Sequence, residues 1–472
     1  MEAVTVDQLL SWTGGSLAQP GAQPFVTSIS TDSRTLEPGA CFVPLSGQRF
    51  DGHQFIDEAV AKGAVCVVAS KDRSVVLRQD VGMILVDDTL DALWRIASGY
   101  RELFALPVVA ITGSNGKTTT KEMTAAILST RGPVIATEKN YNNEIGVPLT
   151  LLRIESRHRA AVIEMGMRKQ GEIAQLARIA RPTIGVVTNV GPVHVKFLGS
   201  LEGVARAKGE LVEALDQDGY AVLNADDPYV LKMATRTRAQ VVTFGLSADA
   251  EVRGERVEHR GLEGSRFILR WNGERAPIIL KLPGRHQVMN ALAAAAVARC
   301  LGLDARAVQQ GLIDVRTEMR MSLHRLGEGV ILIDDAYNAS PASVRSALLS
   351  LSDVKAKRRV AVLGGMLELG HLAEEAHKEV GELAARLDVD CLVAVGSEAR
   401  WIVDGAVAAG LTPDRIVYFP DASQAAAAVA QWSRAEDVIL VKGSRGFRLE
   451  QVSMALKERY GPVDESEAEE GR

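Results

Sequence analysis

Short, continuously apolar runs recur along the chain, separated by stretches in which apolar residues return at helical spacing. LPVVAIT (106–112), AAVIE (160–164), TIGVVTN (183–189) and YAVLN (220–224) have the pattern of strands buried on both faces. Between them, KEMTAAILST and SLEGVARAKGELVEAL carry one-sided apolar stripes and predict helices. This alternation is that of a mostly parallel sheet flanked by helices. Upstream, DGHQFIDEAVAKG predicts a helix closed by Gly63, followed by a buried strand from Ala64 to Ala69. From Val252 to Leu282 the pattern becomes charged and alternating (FILRW, PIILKL), which predicts an antiparallel excursion. An alanine-rich helix from Gln287 to Cys300 closes that block. Beyond Asp314, the runs VILID, RVAVLG, CLVAVG and DVILVKG with helices between them predict a doubly wound third unit.

The expected fold class is therefore α/β in three domains, at 1–103, 104–314 and 315–461. Residues 462–472 are a short acidic tail whose composition predicts disorder. The length of 472 residues, too great for one core, agrees with several domains.

Composition narrows the function classes. With 47% hydrophobic and 24% charged residues the chain is an ordinary globular one. Its formal net charge is −5, and its longest basic run, Lys355 to Arg359, is interrupted by Ala356. Neither nucleic acid nor an anionic membrane is expected as a partner. Cys41, Cys66, Cys300 and Cys391 are far apart and form no CxxC pair, so reduced, buried thiols are expected. MEAVTVDQLLSW lacks the charged-then-apolar pattern of a signal peptide, and no run approaches the about 18 apolar residues of a membrane span. The expected location is cytoplasmic, without integral membrane contact.

GSNGKTT (Gly113, Ser114, Asn115, Gly116, Lys117, Thr118, Thr119) breaks a buried strand and opens a helix, the context of a phosphate-binding loop. Lys117 would sit by the β- and γ-phosphates, and the Thr118 hydroxyl would hold magnesium. Ile111 stands where the strict P-loop pattern has its first glycine, and the loop is two residues shorter. Glu164 ends the run AAVI, at the carboxyl end of a parallel strand where ligands bind. His194 follows another such strand. Lys208 falls in the middle of the apolar stripe Leu201, Val204, Leu211, Val212 and Leu215. A lysine there either snorkels to water or is desolvated, loses its proton readily and can react with carbon dioxide.

Together these features resemble the Mur ligase family over nearly the whole chain. The family's TGxNGKT loop is met at Thr112 to Thr118, with a carboxylate after an apolar strand (Glu164), a later histidine (His194) and an AK pair on the next helix (Lys208). The resemblance implies an ATP-dependent amide-bond ligase working through an acyl phosphate. It implies a carbamylated Lys208 and a site for two Mg2+ ions made with Thr118, Glu164 and His194. GRHQVMNALAAAAVA resembles the family's G-x-H-N-x-x-N-x-x-A-A segment and implies Asn290 at the adenine, with Gln287 in place of the usual Asn. Arg320 is implied at the γ-phosphate and Asp335 at the ribose. The N-terminal segment TDSRTLEPGACFVPLSGQRFDGHQF implies a UDP site with Ser33, Arg34 and His53. NYNNEIGVPLTLL, DDAYNASPASV and KGSRG imply UDP-N-acetylmuramoyl-tripeptide and D-alanyl-D-alanine as substrates, with Asn142 and Asn143 on the muramoyl-peptide or metal side. LGGMLELG departs from the usual LGDMLELG at Gly365. A monomer is expected. The alternatives are a sibling that adds a diamino acid to the muramoyl-dipeptide, a folylpolyglutamate-type synthetase, and a non-catalytic nucleotide-dependent switch.

Overall fold

Three large sheets follow one another along the chain, with two two-stranded ribbons in the N-terminal part, in a computed structural model that describes residues 1–47, 50–313, 315 and 320–463. Position 314, where the second boundary was expected, and the tail from 464 onward lie outside the described residues.

The first sheet has five strands, in the order Ser16–Gln19, Gly82–Val86, Cys66–Ser70, Ala40–Phe42 and Ser28–Ser30. The segment 51–63, expected as one helix, starts as a 3-10 turn (Gly52–Phe55) and becomes α-helical only at Ile56–Ala61. The Asp51 side chain accepts from the His53 backbone N–H and so caps the turn.

The second sheet has nine strands. Val108–Thr112 lies between Ala160–Glu164 and Ile184–Val187, parallel to both. The chain leaves Thr112, builds Val134–Ala136 and Ala160–Glu164 on one side, then crosses to Ile184–Val187 on the other. The strand order reverses at this point, so the loops after Thr112, Glu164 and Val187 open into one crevice. Tyr220–Asn224 and Gln240–Gly245 extend the parallel part. The expected antiparallel excursion is Val252–His259, Ser265–Trp271 and Glu274–Leu280.

The third sheet has six strands. Ile331–Asp335, Asp437–Lys442, Arg358–Gly364, Cys391–Val395 and Ile416–Phe419 are parallel, with Ser322–Arg325 antiparallel at the edge.

One hydrophobic cluster runs from Val4 through Tyr100 and Ala161 to Leu211, joining the first sheet's helices to one face of the second. Polar ties cross the same seam. Tyr100 donates its hydroxyl to the Ile154 carbonyl at 2.6 Å, and the buried Arg101 guanidinium donates to the carbonyls of Phe104, Leu106 and Ala180. The third sheet is packed within clusters of its own. All four cysteines are unbridged; Cys41 and Cys66 are buried, while Cys300 and Cys391 are only half-buried. Among the described residues no helix is long and apolar enough to cross a membrane.

Candidate active site

The phosphate loop is shaped by two glycines that nothing else could replace. Gly113 has φ +150°, and a Cβ there would lie 1.8 Å from the Thr188 hydroxyl oxygen. Gly116 has φ +80°, with Asn290 Oδ1 at 2.3 Å from any Cβ. Gly116 is the left-handed cap of the helix Lys117–Ser129, whose first backbone N–H groups are left to face an anion. Lys117 folds over the loop and donates to the Gly113 carbonyl at 2.8 Å. Burial lowers its pKa, Glu164 opposes that shift, and Arg320 adds to it.

Glu164 is buried, not facing solvent, and both carboxylate oxygens are fixed. Thr118 donates its hydroxyl to Oε2 at 2.6 Å, and Asn142 donates to Oε1 at 2.7 Å. Asn142 thus lies beside Glu164 in the crevice, whereas the Asn143 side chain accepts from the Ile145 and Gly146 N–H groups at the turn into Gly146–Leu151. His194 has a left-handed backbone (φ +57°), and its Nδ1 pairs with the Glu368 carboxylate of the third domain. Burial lowers the His194 pKa, the Glu368 carboxylate opposes that shift, and the Lys208 and Lys117 charges add a smaller lowering.

Lys208 does not snorkel: it is 2% exposed on the inner face of the helix Leu201–Glu213. No described carboxylate pairs with it, and burial with the nearby Lys117 charge pushes its pKa well below the usual lysine value. Among the described residues no three His, Cys, Asp or Glu side chains already form a metal-binding group. The donors nevertheless suit magnesium: Thr118 and Glu164 are hard oxygens beside the phosphate loop, where phosphates would complete the coordination.

The third domain reaches this crevice at several points. Ser340 donates its hydroxyl to Asn115 Oδ1 of the phosphate loop at 2.7 Å. The Arg320 guanidinium stacks 4.5 Å from the Tyr337 ring centre, with Arg445 on the same ring at 5.9 Å.

Several sequence expectations change. The Asn290 amide accepts from Thr120 and donates to Gln287, so it braces the phosphate loop from behind. Gln287 is the acceptor in that brace, which gives the departure at this position a structural role. Asp335 accepts from buried Lys442 at 2.7 Å and from the Met321 backbone N–H at 3.3 Å. Ser33 donates to Glu58, and His53 uses both ring nitrogens, Nδ1 with Asp51 and Nε2 accepting from the Ser70 N–H. Of the UDP candidates only Arg34 is exposed, and it pairs with Asp32.

Sequence reasoning missed Glu368 and Ser340 because their partners, His194 and Asn115, lie more than a hundred residues away, and it missed Tyr337, which stacks on the nearby Arg320. Lys442, at the end of the buried run DVILVK, broke its pattern visibly enough to be noticed.

Known proteins share this arrangement. Three family descriptions match in order: "Mur ligase family, catalytic domain" at 25–101, "Mur ligase middle domain" at 111–298, and "Mur ligase, glutamate ligase domain" at 319–445. The UDP-N-acetylmuramoyl-tripeptide--D-alanyl-D-alanine ligase of Bacillus subtilis is 36% identical over 458 residues, covering 96% of this chain and 98% of that protein. The chain belongs to the Mur ligase family.

The Escherichia coli Mur ligase of the same name is 37% identical over 463 residues, with 97% and 99% covered. Among solved Mur ligase structures, MurF from Acinetobacter baumannii superposes with a TM-score of 0.88 at 31% identity, covering 97% of this chain and 99% of that one. MurF ligase from Thermotoga maritima in complex with ADP gives 0.80 at 29% identity, covering 92% and 97%.

Gly365, where the Mur ligase motif usually has aspartate, now has a reason. A Cβ at 365 would meet the Phe447 ring at 2.7 Å. We expect Gly365→Asp to lower the melting temperature by several degrees, and Phe447→Ala to relieve most of that loss when the two are combined. Additive effects in a thermal double-mutant cycle would show that the ring is not the obstacle.

Proposed function

We propose that this chain joins D-alanyl-D-alanine to UDP-N-acetylmuramoyl-tripeptide with ATP, giving the muramoyl-pentapeptide precursor of the cell wall, ADP and phosphate. The observation that carries this is the convergence of Lys117, Glu164–Thr118 and Arg320 from two domains on one phosphate-binding crevice. The relatives named above supply the substrate pair.

The tripeptide carboxylate attacks the γ-phosphate of ATP, forming an acyl phosphate and releasing ADP. The dipeptide amine then displaces phosphate and forms the amide. The first step brings an anion up to a polyanion, so its barrier falls with fixed positive charge. Lys117 and Arg320 provide that charge from the chain itself. The N–H groups at the start of the Lys117–Ser129 helix cradle the phosphates. Magnesium, held by Thr118, Glu164 and His194, would neutralise the phosphate oxygens and orient the acyl group.

Among the described residues, Glu164 is the anion beside the Thr118 hydroxyl. Lys208 can supply another: its neutral amine adds to carbon dioxide, loses a proton and becomes a carbamate. A buried amine with no anionic partner supports this reading, because the carbamate is the form that a nearby cation would hold. Asn142 orients Glu164, and Arg34 remains the reachable uridine-diphosphate contact. We read 1–103 as the UDP-binding domain, 104–314 as the ATP-binding domain and 315–461 as the closing domain, in a cytoplasmic monomer.

Phosphate release from ATP tests the proposal. Purified protein should release phosphate only when UDP-muramoyl-tripeptide and D-alanyl-D-alanine are both present. Release with the muramoyl-dipeptide and a diamino acid instead would move the assignment to a sibling ligase. ATP binding without release in any mixture would end the ligase reading.

A further inference from the structure

Glu368 lies in the loop after Arg358–Gly364 of the third domain, yet its side chain and backbone are spent on the second. One carboxylate oxygen pairs with His194 Nδ1, and the other lies 3.6 Å from the Arg168 guanidinium. Its carbonyl accepts the Lys196 N–H at 3.2 Å. Two residues on, Gly370 (φ +61°) approaches the Lys196 backbone so closely that a Cβ would lie 3.1 Å from its Cα, and Leu372 packs onto the core shared by the first two domains. Arg168 and His194 sit in the loops following Ala160–Glu164 and Ile184–Val187, so one carboxylate braces both loops that carry the metal-side groups.

The backbone at this junction is unusual on both sides. Glu368 has φ +64° and His194 has φ +57°, left-handed values that are uncommon outside glycine, more so for glutamate than for histidine. Such conformations persist where surrounding contacts over-determine them, and they concentrate at functional sites.

A carboxylate on Nδ1 fixes the imidazole's orientation and its tautomer, leaving Nε2 as the free lone pair. We propose that Glu368 is the positioning residue through which the third domain sets His194 for metal binding, so that docking of that domain and completion of the metal site are one event. This rests on the reading of His194 as a magnesium-site residue. Glu368 itself touches neither nucleotide nor metal.

The test uses the full chain with ADP, with Mn2+ as the spin-active probe. Glu368→Ala should weaken Mn2+ binding by about 10- to 100-fold, the range for lost outer partners of metal-ligating histidines. Amide hydrogen exchange across 194–198 should rise in the same variant without metal or nucleotide. Glu368→Gln keeps an oxygen acceptor for Nδ1–H and should recover most of the affinity. Wild-type Mn2+ affinity in Glu368→Ala, unchanged exchange at 194–198, or a glutamine variant as weak as alanine would overturn the proposal. His194→Ala separates the two readings. If it weakens Mn2+ binding while Glu368→Ala does not, only the positioning role falls. If it binds Mn2+ as the wild type does, the reading of His194 falls and takes this proposal with it.

Discussion

Replacing Lys208 by methionine will abolish ligation and at the same time make the protein more stable. The side chain is buried, pairs with no carboxylate among the described residues and has Lys117 nearby, so its charged form is penalised by both desolvation and repulsion. Methionine fills similar volume without that penalty. A gain of about 1 kcal/mol corresponds to a rise of roughly 2–4 °C for a domain of this size. The pH dependence carries the sign of the effect. A lysine whose folded-state pKa lies below its unfolded value binds fewer protons when folded, so stability rises with pH between the two values. That rise, which ends near the ordinary lysine value, should be missing from the methionine variant.

Activity should fall at least about 10³-fold, the scale for losing a preorganised electrostatic contact. Added bicarbonate should not restore it, whereas wild-type enzyme stripped of carbon dioxide should lose activity and regain it with bicarbonate. Full activity in Lys208→Met would remove the carbamate from the mechanism. A destabilised variant would mean that the amine has a partner in solution.

Lys117→Met is expected to lower kcat by about 10²- to 10³-fold while leaving the KM for the muramoyl-tripeptide within a small factor. The ammonium binds only loop carbonyls of Gly113 and Ser114, so its removal leaves the glycine-built loop standing. Its contribution lies in charge facing the transferred phosphoryl group, which matters more in the transition state than in substrate binding. Steady-state kinetics with each substrate varied in turn would check the split. A KM effect with unchanged kcat would instead make Lys117 a binding residue.

Much of this architecture could be read in the sequence, for identifiable reasons. The central strands are buried on both faces, so their apolar runs are unbroken and their ends coincide with the loops that matter. Lys208 stood out because a helix stripe exposes any polar intruder. Some strands escaped notice although they lie inside their sheets, Gly82–Val86 and Gln240–Gly245 among them, and others escaped because this logic fails for them. Ile416–Phe419 is half-buried throughout at a sheet edge, and Val134–Ala136 is only three residues long. In the site, residues acting through their own backbone neighbourhood were visible, while those acting across domains were not. Asn290 shows the other limit: its motif was legible, but its hydrogen bonds to Thr120 and Gln287 were not.

Counted by sheets the molecule has three domains, but counted by shared interior it has two. The cluster from Val4 to Leu211 takes side chains from both of the first two sheets' layers, and Tyr100 and Arg101 satisfy carbonyls across the seam. Those layers therefore melt together as one cooperative block and cannot be exchanged singly between relatives without leaving a cavity. The last domain is built on clusters of its own and meets the other two through contacts such as Glu368–His194 and Ser340–Asn115, so any turn it makes must break these first.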